Sequence, residues 1–124
     1  MTESRTERAI SFLKLVGAGS VREAYERHVA ENFRHHNAFF RGDREALMNA
    51  MAENATKNPN KVIDVKRSLE DDDCVVLHSH IRQHPTDRGS AAVHIFRFEG
   101  GKIAELWDVA QAIPPDSPNE NGVF

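Results

Sequence analysis

The sequence predicts an α+β fold, three helices followed by an antiparallel sheet. Three observations predict it. Apolar residues recur at helical spacing through the first half, the period changes to two after Lys61, and the later segments are joined by short links. At 124 residues the chain has room for one core, so residues 1–124 are read as a single domain with the helices on one sheet face.

Ser4-Arg5-Thr6-Glu7 has the form of a capping box, and Ala9, Ile10, Leu13 and Val16 follow on one stripe, which predicts a helix over 6–16. Gly17 and Gly19 interrupt it. Ser20-Val21-Arg22-Glu23 repeats the capping form before Ala24, Tyr25, His28 and Val29, a second short helix. The stretch 32–40 is rich in β-formers and reads as an extended segment closed by Arg41-Gly42. Asp43 caps a third helix, whose Ala46, Leu47, Ala50, Met51 and Asn54 share a stripe and which Asn58-Pro59 ends. Strands are read at 61–67, 74–82, 90–98 and 102–112, with Glu70-Asp71-Asp72-Asp73 as a solvated turn. Prolines at 114, 115 and 118 leave 114–124 as an irregular tail, with Val123 and Phe124 apolar enough to dock.

Sixteen basic and nineteen acidic residues give a net charge of −3, which argues against binding a phosphate backbone. No apolar run approaches the roughly 20 residues that span a bilayer, and the charged N-terminal stretch is unlike a signal peptide. The single cysteine, Cys74, allows no internal disulfide and no cysteine-rich zinc site, so a cytoplasmic location is expected. The expected partner is a small molecule, not nucleic acid or a membrane.

Seven histidines are the unusual entry in this composition. Alternation puts Cys74, Val76, His78, His80 and Arg82 on one side of their strand, and Ala92, His94, Phe96 and Phe98 on one side of the next. Two registers of the last hairpin are open. A three-residue loop with a bulge at Gly101 pairs His94 with Leu106 and keeps Asp108 on the same face; a two-residue Gly100-Gly101 turn pairs His94 with Trp107 and sends Asp108 to the other side. The bulged loop is preferred, because it gathers His78, His80, His94 and Asp108 with Phe96, Phe98 and Leu106 in one pocket. The reverse face, Val75, Leu77, Ile81, Val93, Ile95 and Val109, is then an aliphatic patch that predicts a homodimer through the sheets. His28 and His84 are read as surface residues without a role, and Trp107, Phe39 and Phe40 as packing. Of the neighbours His35 and His36, at most one enters the pocket.

The segments Phe33-Arg34-His35-His36-Asn37, Val76-Leu77-His78-Ser79-His80, Val93-His94-Ile95-Phe96-Arg97-Phe98-Glu99-Gly100-Gly101-Lys102-Ile103 and Glu105-Leu106-Trp107-Asp108-Val109-Ala110-Gln111 resemble the SnoaL-like polyketide cyclase family of the nuclear transport factor 2-like superfamily. The hairpin is also similar to that of ketosteroid isomerase. The resemblance implies a cone-shaped, cystatin-like domain and cofactor-free proton chemistry on a carbonyl compound, of cyclase, isomerase or lyase type. It implies Asp108 as the general acid/base, His94 at a position where relatives commonly carry aspartate, and His36 and Asn37 on the pocket wall.

The chemistry is consistent on its own terms. Removing a proton next to a carbonyl needs a base lifted towards neutrality and a donor for the enolate oxygen. Apolar neighbours raise a carboxyl pKa and a protonated imidazole lowers it, so Asp108 and His94 are expected to titrate as a coupled pair. Asp108 is cast as base, His94 as electrostatic partner or proton donor, and Asn37, His78 and His80 as orienting groups, with His36, Phe96, Phe98 and Leu106 as further substrate contacts. No cofactor or metal is expected. Two other readings stay open: a non-catalytic binder of a small apolar ligand, and a metal site made by His36, His78, His80 and His94 with Asp108.

Overall fold

Ser4 caps the first helix in the computed structural model, which describes residues 3–124. Its hydroxyl accepts the Glu7 backbone N–H at 3.0 Å, and its own N–H donates to the Glu7 carboxylate at 3.0 Å, so the expected capping box opens α1 (Arg5–Gly17). The helix ends in a Schellman motif, in which Gly19 at φ 88° donates to the Val16 carbonyl and Ser20 to that of Leu15. This closure holds Ser20 at φ −88°, ψ 54°, so the second capping box does not form. Glu23 instead pairs with Arg27 one turn on, at 2.7 Å, within α2 (Val21–His28). His28 is buried rather than on the surface, with Nε2 2.9 Å from Ser11 Oγ.

The extended segment comes earlier than its composition indicates. β1 (Val29–His35) starts where α2 ends and stops at His35, whose N–H donates to the Gly42 carbonyl as residues 36–42 turn back. α3 (Arg44–Lys57) follows with Asp43 as its cap, accepting the Ala46 N–H at 3.2 Å. The sheet is completed by β2 (Val62–Asp71), β3 (Cys74–Arg82), β4 (Ser90–Glu99) and β5 (Lys102–Ala112). Half of the acidic run is strand, since Glu70 and Asp71 pair with Val75 and Cys74 and only Asp72, at φ 57°, and Asp73 turn.

The strands lie in the order β1-β5-β4-β3-β2, with β1 parallel to β5 and all other neighbours antiparallel. Surplus residues interrupt the ladders between Val65 and Arg67 and between Ile103 and Glu105. Such bulges bend and twist a strand, and the sheet is curved. The helices cover the face that carries Val75, Leu77, Phe96 and Phe98. There Phe12 meets Phe96 and Tyr25 edge to face, at 6.0 and 5.5 Å between ring centres.

Two corrections of register position the site. The β4–β5 hairpin closes in a two-residue turn, with Gly100 at φ 55° and Gly101 at φ 81°, not in the three-residue loop. Two positive φ values make a type I′ turn, whose twist matches that of the strands. Glu99 therefore pairs with Lys102, and the odd residue is absorbed further along, at Ala104. Phe96 then faces Leu106, and His94 faces Asp108. Neither register considered from the sequence alone places the surplus there.

The second correction concerns β3. Its helix-covered residues are Val75, Leu77 and Ser79, while Cys74, Val76, His78 and His80 look outward. Leu77 pairs with His94, whereas His78 pairs with Val93 and His80 with Ala91. Alternation orders side chains within a strand, but loop 83–89 sets the phase between β3 and β4. The supposed aliphatic reverse face is accordingly divided: Val75, Leu77 and Ile81 turn towards the helices, and Val93, Ile95 and Val109 away from them.

From Ile113 onward the chain has neither helix nor strand. Phe124 docks on the outer sheet face, its ring centre 5.4 Å from that of His78 and 4.8 Å from that of His80. No helix among the described residues is long and apolar enough to cross a membrane.

Candidate functional site

Between the helices and the helix-covered face of the sheet lies a cavity of about 280 Å³. Leu13, Val16, Leu47, Met51, Ile63 and Ile81 form much of its wall, and Asn37, Asn54, Lys61, Gln83, His94 and Asp108 put polar groups into it. An apolar chamber with a few placed polar groups is the form of a small-molecule site.

The turn after β1 fixes Asn37 through a chain of hydrogen bonds. His35 Nδ1 accepts the Asn37 backbone N–H at 3.0 Å, so the ring proton sits on Nε2, which donates to the Arg41 carbonyl at 2.5 Å. Asn37 Oδ1 accepts the Phe39 N–H at 3.0 Å. That leaves Nδ2 directed at Asp108, to whose Oδ2 it donates at 3.2 Å. Of the two adjacent histidines neither lines the cavity; buried His35 holds the residue that does.

His94 is buried with Nδ1 lacking any hydrogen-bond partner, and its ring stacks 5.9 Å from that of Phe96. Burial pushes its pKa below the ordinary histidine value. The Asp108 charge opposes that shift and the Lys61 charge adds to it. Burial thus disfavours the protonated imidazole that the Asp108 charge favours.

Lys61, at the entrance to β2, escaped the sequence reading. Its Nζ donates to Asn54 Oδ1 at 2.6 Å, and burial lowers its pKa. One signal could have found it: Asn54 is a polar residue on the apolar stripe of α3 and needs a partner. Gln83 was missed as well, and its Oε1 is buried without a partner.

The remaining candidates lie elsewhere. His36 is outside the cavity, with Nε2 2.6 Å from the Glu105 carboxylate and its ring stacked on Trp107 at 4.9 Å. Buried Glu105 also meets Arg34 Nε at 3.2 Å and Arg97 Nε at 3.1 Å; the His36 contact, aided by both guanidiniums and opposed by burial, holds its pKa at about 2. His78 bonds to Arg67, and His80 Nε2 donates to the Arg88 carbonyl at 2.7 Å, both on the outer face. Phe96, Phe98 and Leu106 share the face of His94 but belong to the packed core. Phe40 lines the cavity, while Phe39 is 88% exposed instead of packed. The five groups of the metal reading are thus spread over both sheet faces, and no three histidine, cysteine or carboxylate side chains stand together as a metal site among the described residues.

A family model described as SnoaL-like domain matches residues 9–106. Solved structures share the fold at low identity. An NTF2-like protein of unknown function from Cytophaga hutchinsonii is 20% identical, with 90% of this chain and 93% of that one covered and a TM-score of 0.72. An uncharacterized cystatin-fold protein from Novosphingobium aromaticivorans is 19% identical, with coverage of 87% and 99% and a TM-score of 0.73. IdmH from Streptomyces antibioticus, described as a candidate polyketide cyclase, is 16% identical, with coverage of 88% and 93% and a TM-score of 0.73. No protein of curated function matches the sequence.

Proposed function

Because this chain belongs to the SnoaL-like domain family, we propose that its cavity takes a small hydrophobic carbonyl compound and moves a proton on the carbon beside that carbonyl, without a cofactor. The observation that supports this best is the pairing of His94 with Asp108 across β4 and β5, both on the cavity wall, with the Asn37 amide on the carboxylate.

Asp108 acts as general base and takes the α-proton. Neutral His94 offers a ring N–H to the enolate oxygen as charge develops there, a role that needs no net positive charge. Asn37 holds the carboxylate in place, so little reorganisation precedes proton transfer. The enolate then either attacks a second carbonyl carbon and closes a ring, the alkoxide so formed taking the proton from Asp108, as in an aldol condensation, or, where a C=C bond is conjugated with it, takes the proton back at the far carbon of that bond, as in an isomerisation. We further propose a cytoplasmic homodimer joined through the outer sheet face; the joining surface is supported by Val109, 66% exposed beside the partly exposed Val93, Ile95 and Trp107.

The test is deuterium uptake at the α-carbon of small aryl ketones and 1,3-diketones in D₂O, followed by NMR. The intact protein accelerates exchange, and Asp108→Asn lowers that acceleration by about 100-fold or more. Exchange no faster than in buffer across the series, or full activity in the variant, would refute the proposal.

A further inference from the structure

Lys61 stands out once the roles above are assigned. It is a partly buried cation on the cavity wall, and its one side-chain partner is a neutral amide oxygen, Asn54 Oδ1. It forms no ion pair among the described residues, whereas Arg34 and Arg97 meet Glu105 and Lys66 meets Asp64. The local fold holds it there. Asn58 caps α3 and donates through its amide to the Asn54 carbonyl at 3.0 Å, while the Lys61 N–H donates to the Asn58 carbonyl at 3.3 Å. The turn from α3 into β2 thus aims the ammonium at the chamber.

A charge taken out of water is costly unless it is paired, and a compact ammonium recognises an anion as a point charge. Burial already lowers the Lys61 pKa, with no nearby carboxylate to reverse the effect. Asp108, the acid in the same cavity, is engaged by Asn37 and makes no ion pair with Lys61. Beside Lys61 the wall also holds Gln83 and Ser90, whose amide N–H and hydroxyl are donors of the kind a carboxylate accepts, at a site otherwise flanked by Ile63 and Ile81.

We infer that Lys61 receives a carboxylate of the ligand, so that the cavity takes a cyclic or aromatic keto acid with its ketone oxygen at His94, its α-carbon at Asp108 and its carboxylate at the ammonium. This rests on the reading of the cavity as the ligand site and deepens it by naming the substrate class.

Two probes of nearly the same shape, naphthalene-2-carboxylate and 2-acetonaphthone, test it by titration calorimetry against the wild type, Lys61→Met and Lys61→Arg, with folding followed by circular dichroism. The carboxylate binds the wild type about 10-fold or more tightly than the ketone, Lys61→Met abolishes that preference, and Lys61→Arg retains most of it. Failure of the carboxylate to bind, equal affinity for both probes, or a preference that survives in Lys61→Met overturns the inference. If Lys61→Met does not fold, the wild-type preference and its retention in Lys61→Arg decide the matter. Asp108→Asn is titrated in parallel. The variant loses exchange and keeps the preference; a wild type that shows the preference but no exchange overturns the proton chemistry alone, and a wild type that exchanges without a preference overturns the carboxylate alone.

Discussion

His94 and Asp108 are directly opposed in the β4–β5 ladder and share the cavity, although the turn that joins their strands is two residues long. The tight turn on its own would have separated them. What reunites them is the extra residue at Ala104, so the relationship depends on backbone geometry ten or more residues from His94.

Asn37 is expected to tune Asp108 without performing the proton transfer. Asn37→Ala removes one hydrogen bond to the carboxylate and is expected to slow α-proton exchange by roughly 10-fold. Asn37→Asp places a like charge there, which disfavours ionisation of Asp108 and moves the acid limb of the rate profile to higher pH. A profile unmoved by Asn37→Asp would show that the contact does not act on the base.

Acid should destabilise the fold from an unusually high pH. Burial lowers the pKa values of both His28 and His94 below 6.5, so between the folded values and 6.5 the unfolded chain binds more protons. Stability is complete above pH 6.5 and declines as pH falls below it. Urea midpoints at pH 7.5, 6.5 and 5.5 measure the slope, and His94→Gln flattens it.

Glu105 acts in a lower window. Its pKa of about 2 lies below the ordinary 4.5, so its contribution is present above pH 4.5 and is lost as pH falls through about 2. Glu105→Gln lowers the midpoint at neutral pH and weakens the pH response between those limits. His36→Gln should reproduce part of the loss, because the His36 contact is the largest cause of the shift.

Phe96 is fully buried against Phe12, so Phe96→Ala is expected to cost about 3–5 kcal/mol of stability by opening a void in the core. Gly89→Ala is also strongly destabilising, since Gly89 has φ 75° and a Cβ there would collide with the Ile81 carbonyl oxygen. Denaturant unfolding of either variant checks these expectations.

The helices and strands were legible because their signals are local: the Ser4–Glu7 capping box, the Asp43 cap and the Asn58-Pro59 stop each act within a few residues. The site was legible only in part. Asp108, His94 and Asn37 do reach one cavity, but His78 and His80 do not, because the phase between β3 and β4 is a long-range quantity. Hydrophobicity could not supply it. The outward set of β4 contains Val93 and Ile95, as apolar as the inward Ala92 and Phe96. Lys61 was hidden for a related reason: a lysine before a strand looks solvated until α3 closes over it.

The kink at Ala104 also gives the hairpin one residue of slack. Removing a single residue there would straighten the strand and still bring Asp108 abreast of His94, whereas adding one would exceed what the distortion already absorbs and turn the carboxylate to the opposite side. Length variation in this hairpin should therefore be lopsided, with single losses retained and single gains rejected.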